Sequence, residues 1–189
     1  LATLGHLPNK LPEGDYHLES EVTGLQVLGW ALGAYQFERY KSAKRTPARL
    51  YAETSEPIEE AAAAITLGRD LINTPAEDMN PSGLSAEISK MAEAFGADLK
   101  VYVGDELLGL GAGAIHAVGR AADDPPRLAD LTWGDPNHPR VTLVGKGVTF
   151  DSGGLDIKPA AGMRLMKKDM GGAATAIALA HLIMATKLP

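Results

Sequence analysis

Acidic and basic side chains crowd into one glycine-rich stretch of this sequence. It reads Gly145-Lys146-Gly147-Val148-Thr149-Phe150-Asp151-Ser152-Gly153-Gly154-Leu155-Asp156-Ile157-Lys158-Pro159, and a second run follows, Met166-Lys167-Lys168-Asp169-Met170-Gly171-Gly172. Glycine leaves room for backbone and carboxylates to close on a cation, so Asp151 and Asp169 suit an oxygen-rich metal site if the loop returns on itself. A lysine joins such a site only as a neutral amine. Bringing an amine pKa from about 10.4 to near 7 costs on the order of 4 to 5 kcal/mol, which a neighbouring divalent cation supplies. The plainer reading is a solvated loop whose glycines turn the chain and whose charges face water. Composition alone leaves both open.

Other chemistries fit these residues less well. A phosphate-binding loop GxxxxGK[ST] fails because Gly147 follows Lys146 and Arg140 stands where the first glycine is needed. Asp151-Ser152-Gly153-Gly154 looks like the surround of a chymotrypsin-type nucleophile, but Phe150 replaces the preceding glycine and a helix-rich pattern does not suit paired β-barrels. The zincin pattern HExxH is absent, and His6, His17, His116, His138 and His181 lack ligand spacing, which makes them packing or surface residues. With no cysteine, the chain has no disulfide, thiolate metal site, iron–sulfur cluster or thiol nucleophile. A bound metal must therefore take oxygen or nitrogen.

The elements that would position these groups follow from periodicity. Val22, Leu25, Leu28, Leu32 and Tyr35 recur at helical spacing, predicting a helix over 20–40, and Ser55 and Pro57 open a second. Residues 73–81, with two prolines and two asparagines, form a loop. Asn80 can cap a third helix with Pro81 in its first turn, its stripe Leu84, Ile88, Met91 and Phe95 ending at Gly96. A strand is expected at 99–103, a short helix at 105–113, a strand at 114–119 and another at 128–133. Residues 141–145 read as a strand buried on both faces, and 173–184 as an apolar helix packed on the sheet. Alternating strands and helices argue for an α/β fold, and ligands in open α/β sheets sit at the carboxyl ends of strands, where the charged loop falls.

The chain has 189 residues, and 18 Lys plus Arg against 24 Asp plus Glu leave a net charge of −6. Such a balance lacks the basic face of a nucleic-acid binder. No apolar run reaches the roughly 18 residues of a membrane span, and no signal peptide opens the chain, so a cytoplasmic location is expected. The sequence begins at Leu1 rather than Met and stops at Pro189 directly after an apolar helical stretch, so a piece of something longer is also expected.

At the residues quoted above the sequence resembles the leucyl (cytosol) aminopeptidase family of dinuclear metallopeptidases. The likeness runs from Val144 to Pro159, continues through Met163 and from Met166 to Ala174, and includes the upstream run Arg69-Asp70-Leu71-Ile72-Asn73-Thr74-Pro75-Ala76-Glu77-Asp78-Met79-Asn80-Pro81. It implies an α/β fold with a mixed sheet flanked by helices, this being the N-terminal half of the catalytic domain. Residues 1–54 would be a remnant of an N-terminal region with a linker helix, and 55–189 the first half of the catalytic domain. Carried over, Lys146 and Asp169 bind one metal terminally and Asp151 bridges two, the ions being manganese or zinc. Lys158 is the catalytic lysine, holding the oxyanion formed when a metal-bridging hydroxide attacks the scissile carbonyl. Asp169 also accepts the substrate's free amino group, and Met166 lines the pocket for the first side chain, a core methionine being the alternative. Asp156, Lys167 and Lys168 carry only loop-shaping or surface roles.

The family completes its site with a downstream Asn-Thr-Asp-Ala-Glu-Gly-Arg run, whose Asp and Glu bind metal and whose Arg holds a bicarbonate; no such run occurs here. The resemblance thus implies a hexameric enzyme acting on peptides with a free N-terminus, of which this chain holds part. A truncated, non-catalytic interaction module is the alternative. The incomplete ligand set gives a first prediction: the purified 189-residue chain binds metal weakly and does not hydrolyse leucine amide, and robust turnover in that assay would refute it.

Overall fold

The computed structural model describes residues 4–188, so the termini Leu1 and Pro189 lie outside it. The chain divides into two compact units, one through Asp70 and one from Leu71. Among the described residues no helix is long and apolar enough to cross a membrane.

In the first unit, β1 (Asp15–Tyr16) pairs in parallel with β2 (Arg49–Leu50), with Asp15 opposite Arg49. Helix α1 covers Gly24–Ala34, shorter than the 20–40 that spacing predicts. It starts at Thr23, whose side chain and that of Gln26 cap each other's backbone N–H groups in a capping box. It stops because Tyr35 turns to extended backbone (ψ 132°), where its hydroxyl donates to Asp70 Oδ1 at 2.6 Å and the Arg69 guanidinium lies over its ring. A tertiary anchor thus overrides the apolar period. Trp30 is buried and donates its indole N–H to Ala48 O at 3.0 Å, joining α1 to the strand pair.

Helix α2 (Glu56–Asn73) crosses from the first unit into the second. The loop after it leads to α3 (Pro81–Phe95), which has the ends the sequence predicts. Asn80 accepts the Gly83 N–H, Pro81 occupies the first turn, and Gly96 closes the helix in the left-handed region at φ 63°. Asp124 adds a second acceptor at this helix start, taking the Ser82 N–H at 2.7 Å while Arg127 pairs with its other oxygen. Strands β3 (Asp98–Val103) and β4 (Arg127–Thr132) are antiparallel, with Asp98 opposite Thr132 and Val103 opposite Arg127. Helix α3 packs on both strands.

Between β3 and β4 lie α4 (Glu106–Gly109) and α5 (Gly113–Gly119). Residues 114–119 were expected as a strand and are helical. A short apolar run has no decisive period, and here the Ala112 carbonyl accepts the N–H groups of Ile115 and His116 to start a turn. Chain 141–159 forms no regular element. The expected buried strand at 141–145 is therefore corrected. Val141 and Val144 are 82% and 90% exposed, and β3 and β4, the only strands described in this unit, take each other as partners.

The chain then forms α6 (Ala160–Met163), a 3₁₀ turn at Met166–Met170, and α7 (Gly171–Ala185). Helix α7 packs chiefly on α3 and on the 3₁₀ turn rather than on the sheet, whose face α3 already covers. Ala174, Ile177 and Met184 are its buried residues, and Met166 and Met170 anchor the turn in the same core.

The segment bearing Lys146 is held by contact between backbones. Ala173 donates its N–H to Lys146 O at 2.9 Å. A Cβ on Gly145 would lie 2.6 Å from both Ala173 Cα and Gly172 O, and one on Gly172 would lie 3.0 Å from Lys146 N. Only residues without side chains permit this crossing.

Two stability predictions follow from these contacts. Asn80→Ala removes the cap of α3 and lowers unfolding free energy by about 1 kcal/mol in urea titration. Gly145→Ala forces the crossing apart and costs about 1–3 kcal/mol in the same assay, while Gly162→Ala, with open space around its Cβ, stays within about 0.5 kcal/mol of the parent.

Candidate functional site

The crossing at Gly145 directs the Lys146 side chain over the 3₁₀ turn. Its Nζ donates to Asp169 Oδ1 at 3.4 Å, and Lys168 Nζ contacts the two oxygens of the same carboxylate at 3.3 and 3.4 Å. Asp151 is placed by a separate local loop. Its own N–H donates to the sulfur of buried Met166 at 3.4 Å, and its Oδ1 accepts the Gly153 N–H at 2.9 Å. The loop closes where the Lys158 N–H donates to Ser152 O at 2.9 Å. Gly153 is required at the bend: its φ is +92°, and a Cβ there would sit 2.2 Å from Asp156 O. Lys158 then folds back, donating from Nζ to Asp151 Oδ2 at 2.5 Å and to Asp151 O at 3.1 Å.

Both carboxyls are held below the usual carboxylate range. For Asp151 the hydrogen bond from Lys158 leads, followed by that from Gly153 N–H, with partial desolvation opposing and the charges of Lys158 and Lys146 adding. For Asp169 the Lys168 hydrogen bond leads, desolvation opposes it, and the Lys168 charge and both effects of Lys146 follow. Lys146 thus pairs with Asp169 and adds its charge to the field at Asp151. The two carboxylates are the anionic oxygen donors a hard divalent cation takes, and Lys146 joins them only as a neutral amine. Among the described residues no group of three or more His, Cys, Asp or Glu is arranged to hold a metal, so the set consists of two carboxylates and lysine.

The other expected participants have plain positions. Met166 is 5% exposed and supports Asp151 from beneath through its sulfur. Asp156 is exposed and contributes its carbonyl to the Gly153 bend. The Ser152 hydroxyl oxygen accepts the Gly154 N–H at 3.4 Å. His116 pairs with Asp105 and His181 packs edge-on against Phe95, both away from these acids in their contacts. Cavities of about 420 and 470 Å³ are lined by residues 36–45 and by Trp30, Ala34 and residues 46–51, so they belong to the first unit and take nothing from this site. Sequence reasoning missed the roles of Lys167 and Lys168. Lys168 braces Asp169, and Lys167 reaches Asn73 O at 3.2 Å and Asn73 Oδ1 at 3.4 Å. The adjacency of Lys168 to Asp169 was a visible signal, whereas a contact across 94 positions left none.

Comparison with known proteins places the whole chain rather than the individual side chains. Residues 66–189 match the catalytic domain of the cytosol aminopeptidase family, and residues 1–52 match the M17 aminopeptidase N-terminal domain. A probable cytosol aminopeptidase of Rhizobium meliloti is 37% identical over 190 aligned residues, covering 88% of this chain and 38% of the relative. The crystal structure of cytosol aminopeptidase from Coxiella burnetii superposes with a TM-score of 0.89 at 46% identity, over 98% of this chain and 42% of that one. The bottromycin maturation enzyme BotP in complex with Mn matches with a TM-score of 0.74 at 37% identity, over 88% of this chain and 37% of that one. The chain therefore spans about two fifths of the length of the relatives it matches. With the Gly145–Ala174 motif, the upstream Asn73–Pro81 segment and two thirds of the residues under one family model, the chain belongs to the cytosol aminopeptidase family.

Proposed function

We propose that this chain carries part of the catalytic apparatus of a metal-dependent aminopeptidase that releases N-terminal, leucine-like residues from peptides. The observation that carries the reading is the pairing of Asp169 with Lys146 and of Asp151 with Lys158, on segments within the family's catalytic-domain match. Residues 55–189 are assigned to the first half of the catalytic domain, and 1–54 to an N-terminal region and linker. Lys146, Asp151 and Asp169 would hold two divalent ions, manganese or zinc; the manganese complex of BotP supports the former. Such ions supply Lewis-acid polarisation of a carbonyl and a water made acidic enough to ionise near neutral pH.

The remaining roles belong to this chain's side chains. Lys158 stands half-exposed, and its partner is an anionic oxygen of Asp151. The Lys158 ammonium, moved from Asp151 to the substrate, stabilises the negative oxygen that develops on a scissile carbonyl. Asp169 already accepts N–H donors from Lys146 and Lys168, and a substrate α-amino group presents the same donor chemistry. That contact would restrict cleavage to the N-terminal residue. Family resemblance adds a cytoplasmic hexamer, a bicarbonate acting as base, and ligands from a segment outside this chain.

The test separates binding from chemistry in the complete protein. Lys158→Ala is expected to leave Mn²⁺ content intact and lower turnover on leucine amide roughly a hundredfold or more, whereas Asp151→Ala loses metal. Equal metal loss in both variants, read by elemental analysis, makes Lys158 a structural residue and removes it from the mechanism.

A further inference from the structure

The 3₁₀ turn that presents Asp169 is short, and its position is set by what its other residues hold. Met166 and Met170 enter the core at 5% and 1% exposure, Lys168 is exposed, and Lys167 is only partly so. Lys167 directs its Nζ to the last residue of α2, contacting Asn73 O at 3.2 Å and Asn73 Oδ1 at 3.4 Å. The final carbonyls of a helix have no partner within it and carry the negative end of its dipole, so an ammonium is well suited to this end. Ile72, the neighbour of Asn73, also lies near the end of the turn, since a Cβ built on Gly171 would sit 3.7 Å from its Cδ1. The two sequence segments that carry the family likeness, 94 positions apart at this bond, are thus joined by one lysine.

We infer that Lys167 is a positioning residue for the metal site: its bond to the C-terminal end of α2 fixes the 3₁₀ turn so that Asp169 faces Lys146. It touches neither a reacting atom nor the proposed ligand oxygens. Two methionines seat the turn through apolar contacts, Met166 also taking the Asp151 N–H on its sulfur. The Lys167 bond is polar and directional, and it adds a restraint from α2. Outer partners of this kind orient ligands and tune affinity without binding metal themselves.

The inference rests on the reading of Asp169 as a ligand, and the experiment separates the two. In the purified protein, Lys167→Met keeps the apolar stem and removes the ammonium, Lys167→Arg restores a donor cation, and Asp169→Asn tests the ligand itself. Amide resonances of residues 166–170 are followed by NMR without metal, and free Mn²⁺ is titrated by EPR with melting curves as controls. Lys167→Met is expected to shift those resonances and to weaken Mn²⁺ binding about tenfold or more, with Lys167→Arg close to the parent. Lys167→Gln is read in the same way should the Met variant be insoluble. Unmoved resonances, or unchanged Mn²⁺ affinity in Lys167→Met while Asp169→Asn loses it, overturn the positioning role. A melting temperature that falls without any loss of Mn²⁺ affinity assigns Lys167 to stability alone and overturns it too. Unchanged affinity in Asp169→Asn instead overturns the ligand reading and the metal-linked role built on it.

Discussion

Two backbones in contact govern this site. An extended chain can lie against the first turn of a helix only where neither presents a Cβ, and Gly145 and Gly172 meet that condition. The contact also solves a hydrogen-bonding problem. Helix α7 has no side-chain cap; the preceding turn takes the Gly171 N–H at Lys168 O, and the Lys146 carbonyl takes that of Ala173. One peptide group thereby serves as a helix cap and as the foundation of a functional lysine. The position of the Lys146 ammonium, and through it the pairing with Asp169, depends on that arrangement.

The electrostatic design follows from the same packing. Each acid is matched by an ammonium, Asp151 by Lys158 and Asp169 by Lys146 and Lys168, so the pair carries its countercharge on flexible stems. Because all five groups are partly open to water, these pairs add little to stability. Their value is electrostatic. They hold the carboxylates in their ionised form, while a lysine stem can withdraw when a stronger cation or a substrate competes.

Local features of the fold were legible in the sequence, and distant ones were not. The ends of α3 were readable because Asn80, Pro81 and Gly96 act through bonds to their own neighbours. The acids and lysines stood out as candidates because chemistry limits which residue types suit a hard cation. Residues 141–145 have the composition of a buried strand, yet a strand exists only with ladder partners, and partners are a property of distant chain. Helix α1 ended early because Asp70, far along the sequence, captured Tyr35. For the same reason Lys167 looked like a surface residue until Asn73 was seen beside it.

The unpaired stretch at 141–144 has a colloidal consequence. Val141, Leu143 and Val144 are all substantially exposed in a segment of high β propensity without a neighbouring strand. Exposed chain of that composition favours strand addition by another copy. Its flanks oppose that outcome: Pro139 and Arg140 stand on one side and Lys146 on the other. A cation at each end repels a second copy in register and acts as a gatekeeper. Lys146, the proposed ligand, is thus also one of these flanking charges.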